Sequence, residues 1–243
     1  MTRADRRANW VRRELERQGS PAYARRVQMF FKVRVRAYGW RTEEMRTFAR
    51  EARREILETD GPAVLFAVAE KLFAGGTLEE QNMGVALLEP AVARFGEKEF
   101  RRLERWLRHV GNWSACDALC YSLLGPMIIA GKRRVPCASR WARSRNHWHR
   151  RAAAVALVPA ARRGLYLPQI LRLAKQLLPD KEYMVQKGLG WLLKEAGKTH
   201  RAEVAKFLVS VRERAPRVVL RTACEKLPAR ERRRILAPVV QRS

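Results

Sequence analysis

Apolar residues in this chain recur at helical spacing, and no stretch sustains an every-other-residue alternation bounded by hairpin turns. The pattern predicts an all-α protein. Helix starts are signalled by Thr42 ahead of Glu43-Glu44-Met45, by Asp60 ahead of Gly61-Pro62, and by Thr77-Leu78-Glu79-Glu80, where Thr77 and Glu80 have the spacing of a capping box. Glycines at Gly39, Gly75-Gly76, Gly96, Gly125, Gly131 and Gly164 are expected to mark turns. The segments between them are about 10 to 16 residues long and pair into helix-turn-helix units.

Those units repeat. Gly84, Ala118, Ala153, Gly188 and Ala223 each lie inside a helical segment, at successive separations of 34, 35, 35 and 35 residues. A period of this length is the mark of a helical solenoid, and a small residue at a fixed place lets stacked helices approach closely. No linker or low-complexity tract interrupts the frame, so residues 1–243 are expected to form one domain. The weakest stretch is Gly131 to Asn146, where Lys132, Arg133, Arg134, Arg140, Arg143 and Arg145 crowd few core residues. It reads as a basic loop and short helix touching a phosphate backbone, or as a mobile insertion.

The repeat frame also registers three polar-aromatic stretches: Asn112 to Asp117, Trp148 to Ala153, and Gln186 to Trp191. Relative to Asp117, Trp113 has offset −4 and Trp191 has offset +4 from the equivalent Lys187, which spans only about 80° of a helix surface. One carboxylate and two indoles would thus share a face, with Arg151 about 100° round from Asp117 and flanking it. Trp148 and Tyr183 repeat the Trp113 position, an aromatic ladder with the character of either core or groove lining. Asp117 stands alone in an apolar, cysteine-rich helix, where burying an ionised carboxylate is costly. Two readings are open: a salt bridge to an arginine such as Arg151 or a charge near a helix start capped by Asn112, and fixed negative charge offered to a developing cation.

Charge narrows the partner. Lys and Arg number 51 against 24 Asp and Glu, a net charge of +27 that is far beyond what solubility requires and points to a polyanion. Arg101, Arg105 and Arg108 recur along one helical ridge, and planar guanidinium groups suit phosphate. The segment Met1 to Arg7 lacks the apolar core of a signal peptide, so a cytoplasmic protein is expected. The longest apolar run, Ala115 to Gly131, is interrupted by Gly125-Pro126 and is expected to be too short to span a membrane. Cys116, Cys120, Cys137 and Cys224 are expected to be reduced thiols. Cysteine and histidine spacings match no zinc pattern, and no phosphate-binding glycine loop is present, so neither metal nor cofactor is expected.

Trp113-x-x-x-Asp117, Trp148-x-x-Arg151-Ala152-Ala153 and the run Val185 to Glu195, with Gly39, Arg41 to Glu44, and Glu80-Gln81, resemble the AlkD-type alkylpurine DNA glycosylases of the DNA alkylation repair family. The resemblance extends from about Tyr23 onward and implies a HEAT-like repeat solenoid with a concave, basic DNA-binding surface. It implies that Asp117 stabilises positive charge on the deoxyribose and helps place water, that Trp113 and Trp191 contact the sugar, and that Arg151 lies beside the DNA backbone. Arg150, Trp148, Lys187 and Tyr183 are further expected DNA contacts. The implied substrate is duplex DNA carrying N3- or N7-alkylated purines, hydrolysed by a monomer in base excision repair. Asn112 and Ser114 depart from the family's usual flanks of Trp113. Two alternatives remain at this point: a non-catalytic helical-repeat protein that binds structured or branched DNA, and a basic repeat protein with an acidic protein partner.

Overall fold

The computed structural model describes residues 1–237, and every regular element among them is helical, in a helical-repeat arrangement. The chain clusters into two compact units, Met1–Leu123 and a second beginning at Leu124.

The first unit comprises α1 (Arg3–Arg17), α2 (Pro21–Gln28), α3 (Thr42–Thr59), α4 (Gly61–Gly75), α5 (Leu78–Leu88), α6 (Glu97–Arg105) and α7 (Trp113–Ala118), with tight 3-10 turns at Glu89–Arg94 and Trp106–His109. Helix α1 begins in a capping box, where Asp5 N–H donates to Thr2 Oγ1 at 3.1 Å and Thr2 N–H to Asp5 Oδ2 at 2.8 Å. It buries Ala4, Ala8, Val11 and Leu15, one per turn, against α4. Helix α5 packs on α4 and α7 in turn. Gly84 makes that approach possible, because a Cβ there would lie 2.6 Å from the Ala69 carbonyl oxygen of α4. Phe73 stacks on Trp106 with ring centroids 4.8 Å apart, in a core shared with Phe100, Leu103 and Leu107.

Three expectations about helix ends change. Thr42 is the first helical residue and Arg41 the cap, while Glu44 closes back on the Arg41 amide at 3.2 Å. Asp60 stands at the start of α4, but its carboxylate is held by Arg7 at 2.7 Å instead of capping. Thr77 precedes α5 without a side-chain cap bond, and the Glu80 carboxylate accepts from Arg12 Nε at 2.9 Å and from the Tyr38 hydroxyl at 2.9 Å instead of returning to the Thr77 amide. An ionic partner and a phenol outcompete a single backbone amide for a buried carboxylate. Burial, and then the bond to Glu80, push the Tyr38 phenol up to about 12, so it remains a donor.

The second unit holds α8 (Gly125–Ala130), α9 (Val135–Trp141), α10 (His147–Val155), α11 (Val158–Arg162), α12 (Leu167–Leu177), α13 (Tyr183–Thr199), α14 (Arg201–Val211), α15 (Arg217–Ala223) and α16 (Ala229–Leu236). The repeat anchors Ala153, Gly188 and Ala223 fall on α10, α13 and α15, which pack one upon the next. Gly190, one residue pair beyond its anchor, is the tighter spot: a Cβ there would meet Thr222 Cβ at 2.7 Å. The stretch from Gly131 to Asn146 is not a loose insertion. Arg134, Val135, Ala138 and Trp141 are buried, and Arg134 donates to the Met127 carbonyl at 2.7 Å.

Gly125 also fails to make a turn. Trp113–Ala130 is one helical stretch, with a π-helical turn at Leu119–Leu124 just ahead of Pro126. The wider turn and the placement of proline in the first turn after it accommodate the missing amide. At 18 residues the stretch is long and apolar enough, by length and composition alone, to cross a membrane, contrary to the sequence expectation. It carries Asp117 near its start, and Ala115, Cys116, Leu119, Cys120, Leu123 and Met127 are buried as in the core helix of a helical stack.

Candidate functional site

Trp113 opens α7 because Asn112 caps it: the Ala115 amide donates to Asn112 Oδ1 at 2.9 Å. The cap is itself anchored from α5, where Gln81 Oε1 accepts from Asn112 Nδ2 at 3.2 Å and Gln81 Nε2 donates to the His109 carbonyl at 2.9 Å. Asn82 reaches Ser114 Oγ at 3.2 Å. Both residues that flank Trp113 are therefore tied to the preceding repeat helix. The indole is half-buried and stacks on Phe31, with centroids 4.9 Å apart and 15° between planes. Asp117 follows one turn later, half-buried, beside the buried Cys116 and Leu119. A carboxylate and an indole one turn apart on a short, rigidly capped helix can offer charge and a flat apolar face to the same small group.

The same α5 run has a second task. Glu79 accepts from the amides of Tyr38 and Gly39, both at 2.8 Å, and from Trp40 at 3.3 Å, which satisfies a carboxylate that is 3% exposed. Gly39 has φ 91° and lies so close to the Ser20 carbonyl that no side chain would fit. Glu79, Glu80, Gln81 and Asn82 thus link the chain before α3 to the chain around Trp113. The sequence marks Glu80 as a capping-box partner and Glu80-Gln81 as part of the family resemblance, but not as this link. The available signal was four consecutive polar residues opening an otherwise apolar helix.

In the second unit, α10 and α13 carry the remaining expected residues. Arg151 is buried at 5% exposure, donates to the Met184 carbonyl, and lays its Cγ 3.3 Å from where a side chain on Gly188 would begin. Gly188 therefore leaves room for Arg151 between the two helices. Trp191, half-buried, stands on α13 three residues beyond Gly188. Lys187 is half-buried and Tyr183 is 44% exposed at the start of the same helix. Trp148 is half-buried with its ring 4.7 Å from that of His147. Arg150 is committed within the protein: it grips Asp180 with Nε and Nη2 and donates from Nη1 to the carbonyls of Ser144 and Arg145. Hydrogen bonding to Asp180 raises its pKa further. Asp180 in turn caps the Glu182 amide at 2.9 Å, so Arg150 secures the approach to α13.

Arg101, Arg105 and Arg108 are all solvent-exposed, as the ridge pattern requires. Cys116, Cys120 and Cys224 are buried, and Cys137 is half-buried.

A model of the DNA alkylation repair enzyme family matches residues 11–227. A solved structure described as a predicted DNA alkylation repair enzyme from Enterococcus faecalis superposes with a TM-score of 0.77 at 17% sequence identity, covering 87% of this chain and 98% of that one. At that identity the likeness speaks for the fold. No curated protein matches the chain. The family model extends from α1 past α15 and takes in both Trp113-x-x-x-Asp117 and the Arg151 and Trp191 helices, so the chain belongs to the DNA alkylation repair enzyme family.

Proposed function

We propose that this protein is a DNA glycosylase that hydrolyses the N-glycosidic bond of N3- or N7-alkylated purines in duplex DNA, working as a monomer in base excision repair. The observation that carries the reading is Asp117, a half-buried carboxylate one turn from Trp113 on a capped helix, in a chain of net charge +27. A scaffold that only holds DNA gains nothing from negative charge placed one turn from a half-buried indole in so basic a chain.

The chemistry asks little of the protein. In a cationic alkylpurine the bond from the sugar C1′ to the base nitrogen breaks with its electron pair going to the base, which departs neutral. Positive charge then grows on the deoxyribose, and a fixed carboxylate favours that state over the ground state. Asp117 supplies this charge and orients the water that adds to C1′ and releases its proton to bulk solvent, leaving an abasic site. Trp113 and Trp191 pack against the sugar, whereas Arg151, expected from sequence beside the DNA backbone, is buried and bonded to the Met184 carbonyl and so shapes the surface from between α10 and α13 instead of gripping phosphate. Trp148, Lys187 and Tyr183 extend the DNA contact, whereas Arg150 acts through its hold on Asp180. No general acid and no cofactor is needed, since the leaving group carries its charge already. Exposed arginines of the HEAT-like repeats supply phosphate contacts.

Incubation with methylated duplex DNA, followed by analysis of released bases, tests the reading. Free methylpurine above the spontaneous background is expected. Tight binding with no released base would instead favour a non-catalytic DNA-binding repeat protein.

A further inference from the structure

Between α2 and α3 the chain exposes large apolar side chains to solvent: Met29 is 85% exposed, Phe30 75% and Val33 54%. A soluble surface seldom presents three such residues within five positions. The segment is held in shape. Gln28 Nε2 donates to the carbonyls of Phe31 at 3.2 Å and Val33 at 2.9 Å, and Gln28 Oε1 accepts from the Val35 amide at 3.0 Å. At its far end the Arg36 carbonyl accepts from the Leu78 amide at 2.8 Å, and the Arg36 guanidinium donates to the Gly75 carbonyl. One glutamine thus fastens both limbs of the loop and leaves Met29 and Phe30 at its tip.

Two features say what the tip meets. From Arg17 to Thr42 the chain has no acidic residue but contains Arg25, Arg26, Lys32, Arg34, Arg36 and Arg41. Of these, Arg25, Arg26, Lys32 and Arg34 are solvent-exposed and lie within five residues of Phe30. The inward neighbour of Phe30 is Phe31, which stacks on Trp113. The apolar tip is therefore flanked along the chain by exposed cations, and the residue after Phe30 stacks on a candidate site indole. A partner with anionic edges and stacked apolar faces within is duplex DNA.

We propose that Phe30, supported by Met29, is a wedge that enters the base stack beside the nucleotide held at Trp113, while the surrounding cations bind the flanking phosphates. Apolar side chains inserted at base steps unstack and kink the duplex, and a shaped loop loses little entropy on doing so. The proposal rests on reading DNA as the substrate. It adds a deformation of the helix that the glycosidic chemistry itself does not require.

A duplex with 2-aminopurine next to a tetrahydrofuran abasic analogue reports the unstacking directly, with no base to excise. Binding of the full-length protein is expected to raise 2-aminopurine fluorescence severalfold. Phe30→Ala should abolish that rise and weaken binding about tenfold, the scale of one lost aromatic-base contact. Phe30→Trp should restore both, and the melting temperature should not move, since the side chain is exposed. Bound wild-type protein that leaves 2-aminopurine quenched, or a Phe30→Ala variant that binds and brightens like wild type, would overturn the wedge. Loss of binding to phosphatidylglycerol vesicles in that variant, with DNA binding intact, would assign the tip to a membrane surface and equally overturn it. A Phe30-dependent signal without release of methylpurine would retain the wedge and remove the glycosylase, so the two readings fail separately.

Discussion

Asp117 has few apolar-helix reasons to exist, and its half-buried position next to Trp113 makes its charge the first thing to alter. Asp117→Asn keeps the shape but exchanges one acceptor oxygen for a donor NH2 and removes the charge. Excision of a cationic alkylpurine is expected to fall about 10²- to 10³-fold, the usual cost of one well-placed electrostatic group. DNA affinity and fold should remain. If the carboxylate only balanced a neighbouring arginine, thermal stability would drop while single-turnover excision stayed near wild type, so both belong on the same preparation after subtraction of spontaneous depurination. Asn112 makes a second contrast. Asn112→Ala loses the cap on Ala115 and the link to Gln81, and should cost about 1 kcal/mol from the cap alone. Asn112→Asp keeps an acceptor at the helix start and loses only the donor to Gln81, so its urea midpoint should lie between those of the alanine variant and wild type. Equal midpoints for the two variants would show that the Gln81 link, not the cap, carries the effect.

At the scale of helices the small anchors set the spacing, and two glycines should reveal it. Alanine normally gains about 1 kcal/mol over glycine inside a helix. Gly84→Ala should nonetheless destabilise, because its Cβ would meet the Ala69 backbone carbonyl at 2.6 Å, and overpacking of this kind costs roughly 1–3 kcal/mol. Gly190→Ala should do the same against Thr222 Cβ, whereas Gly188→Ala meets the longer, more yielding Arg151 side chain at 3.3 Å and should cost less. Thermal melts of the three variants would rank them, and an order with Gly188→Ala worst would refute the close-approach account. The 35-residue register of these anchors was readable from residue spacing, as were the all-helical class and the cap at Asn112. The failures were places where long-range partners overrode local signals. Glu80 left its expected partner Thr77 for Arg12 and Tyr38, which lie far off in the chain. Gly125-Pro126 would end an ordinary α-helix, but a π turn absorbed it. The basic Gly131 to Asn146 stretch hid a core contribution from Trp141 and the stem of Arg134, since long charged side chains can bury apolar length unnoticed.

For the molecule as a whole, the excess of 51 basic over 24 acidic residues must be divided between internal work and binding. Arg7, Arg12 and Arg150 hold Asp60, Glu80 and Asp180, and Arg134 serves a carbonyl, so these stabilise the fold and are poor phosphate ligands. The exposed Arg101, Arg105 and Arg108 ridge and the cations around Phe30 are the stronger candidates for DNA. Each phosphate neutralised releases condensed counterions, so the logarithm of affinity should fall linearly with the logarithm of salt, at about −0.9 per contact. Six to ten contacts would lower affinity about 10³- to 10⁵-fold between 50 and 200 mM salt. Fluorescence anisotropy with an undamaged duplex gives the slope. Arg105→Ala should make it shallower by about one unit while leaving the melting temperature unchanged, and Arg150→Ala should do the reverse, lowering the melting temperature through the loss of Asp180's partner with little change in slope. Affinity that scarcely responds to salt, or a slope insensitive to Arg105 but sensitive to Arg150, would mean that the exposed ridge is not the footprint and that the charge excess serves another partner.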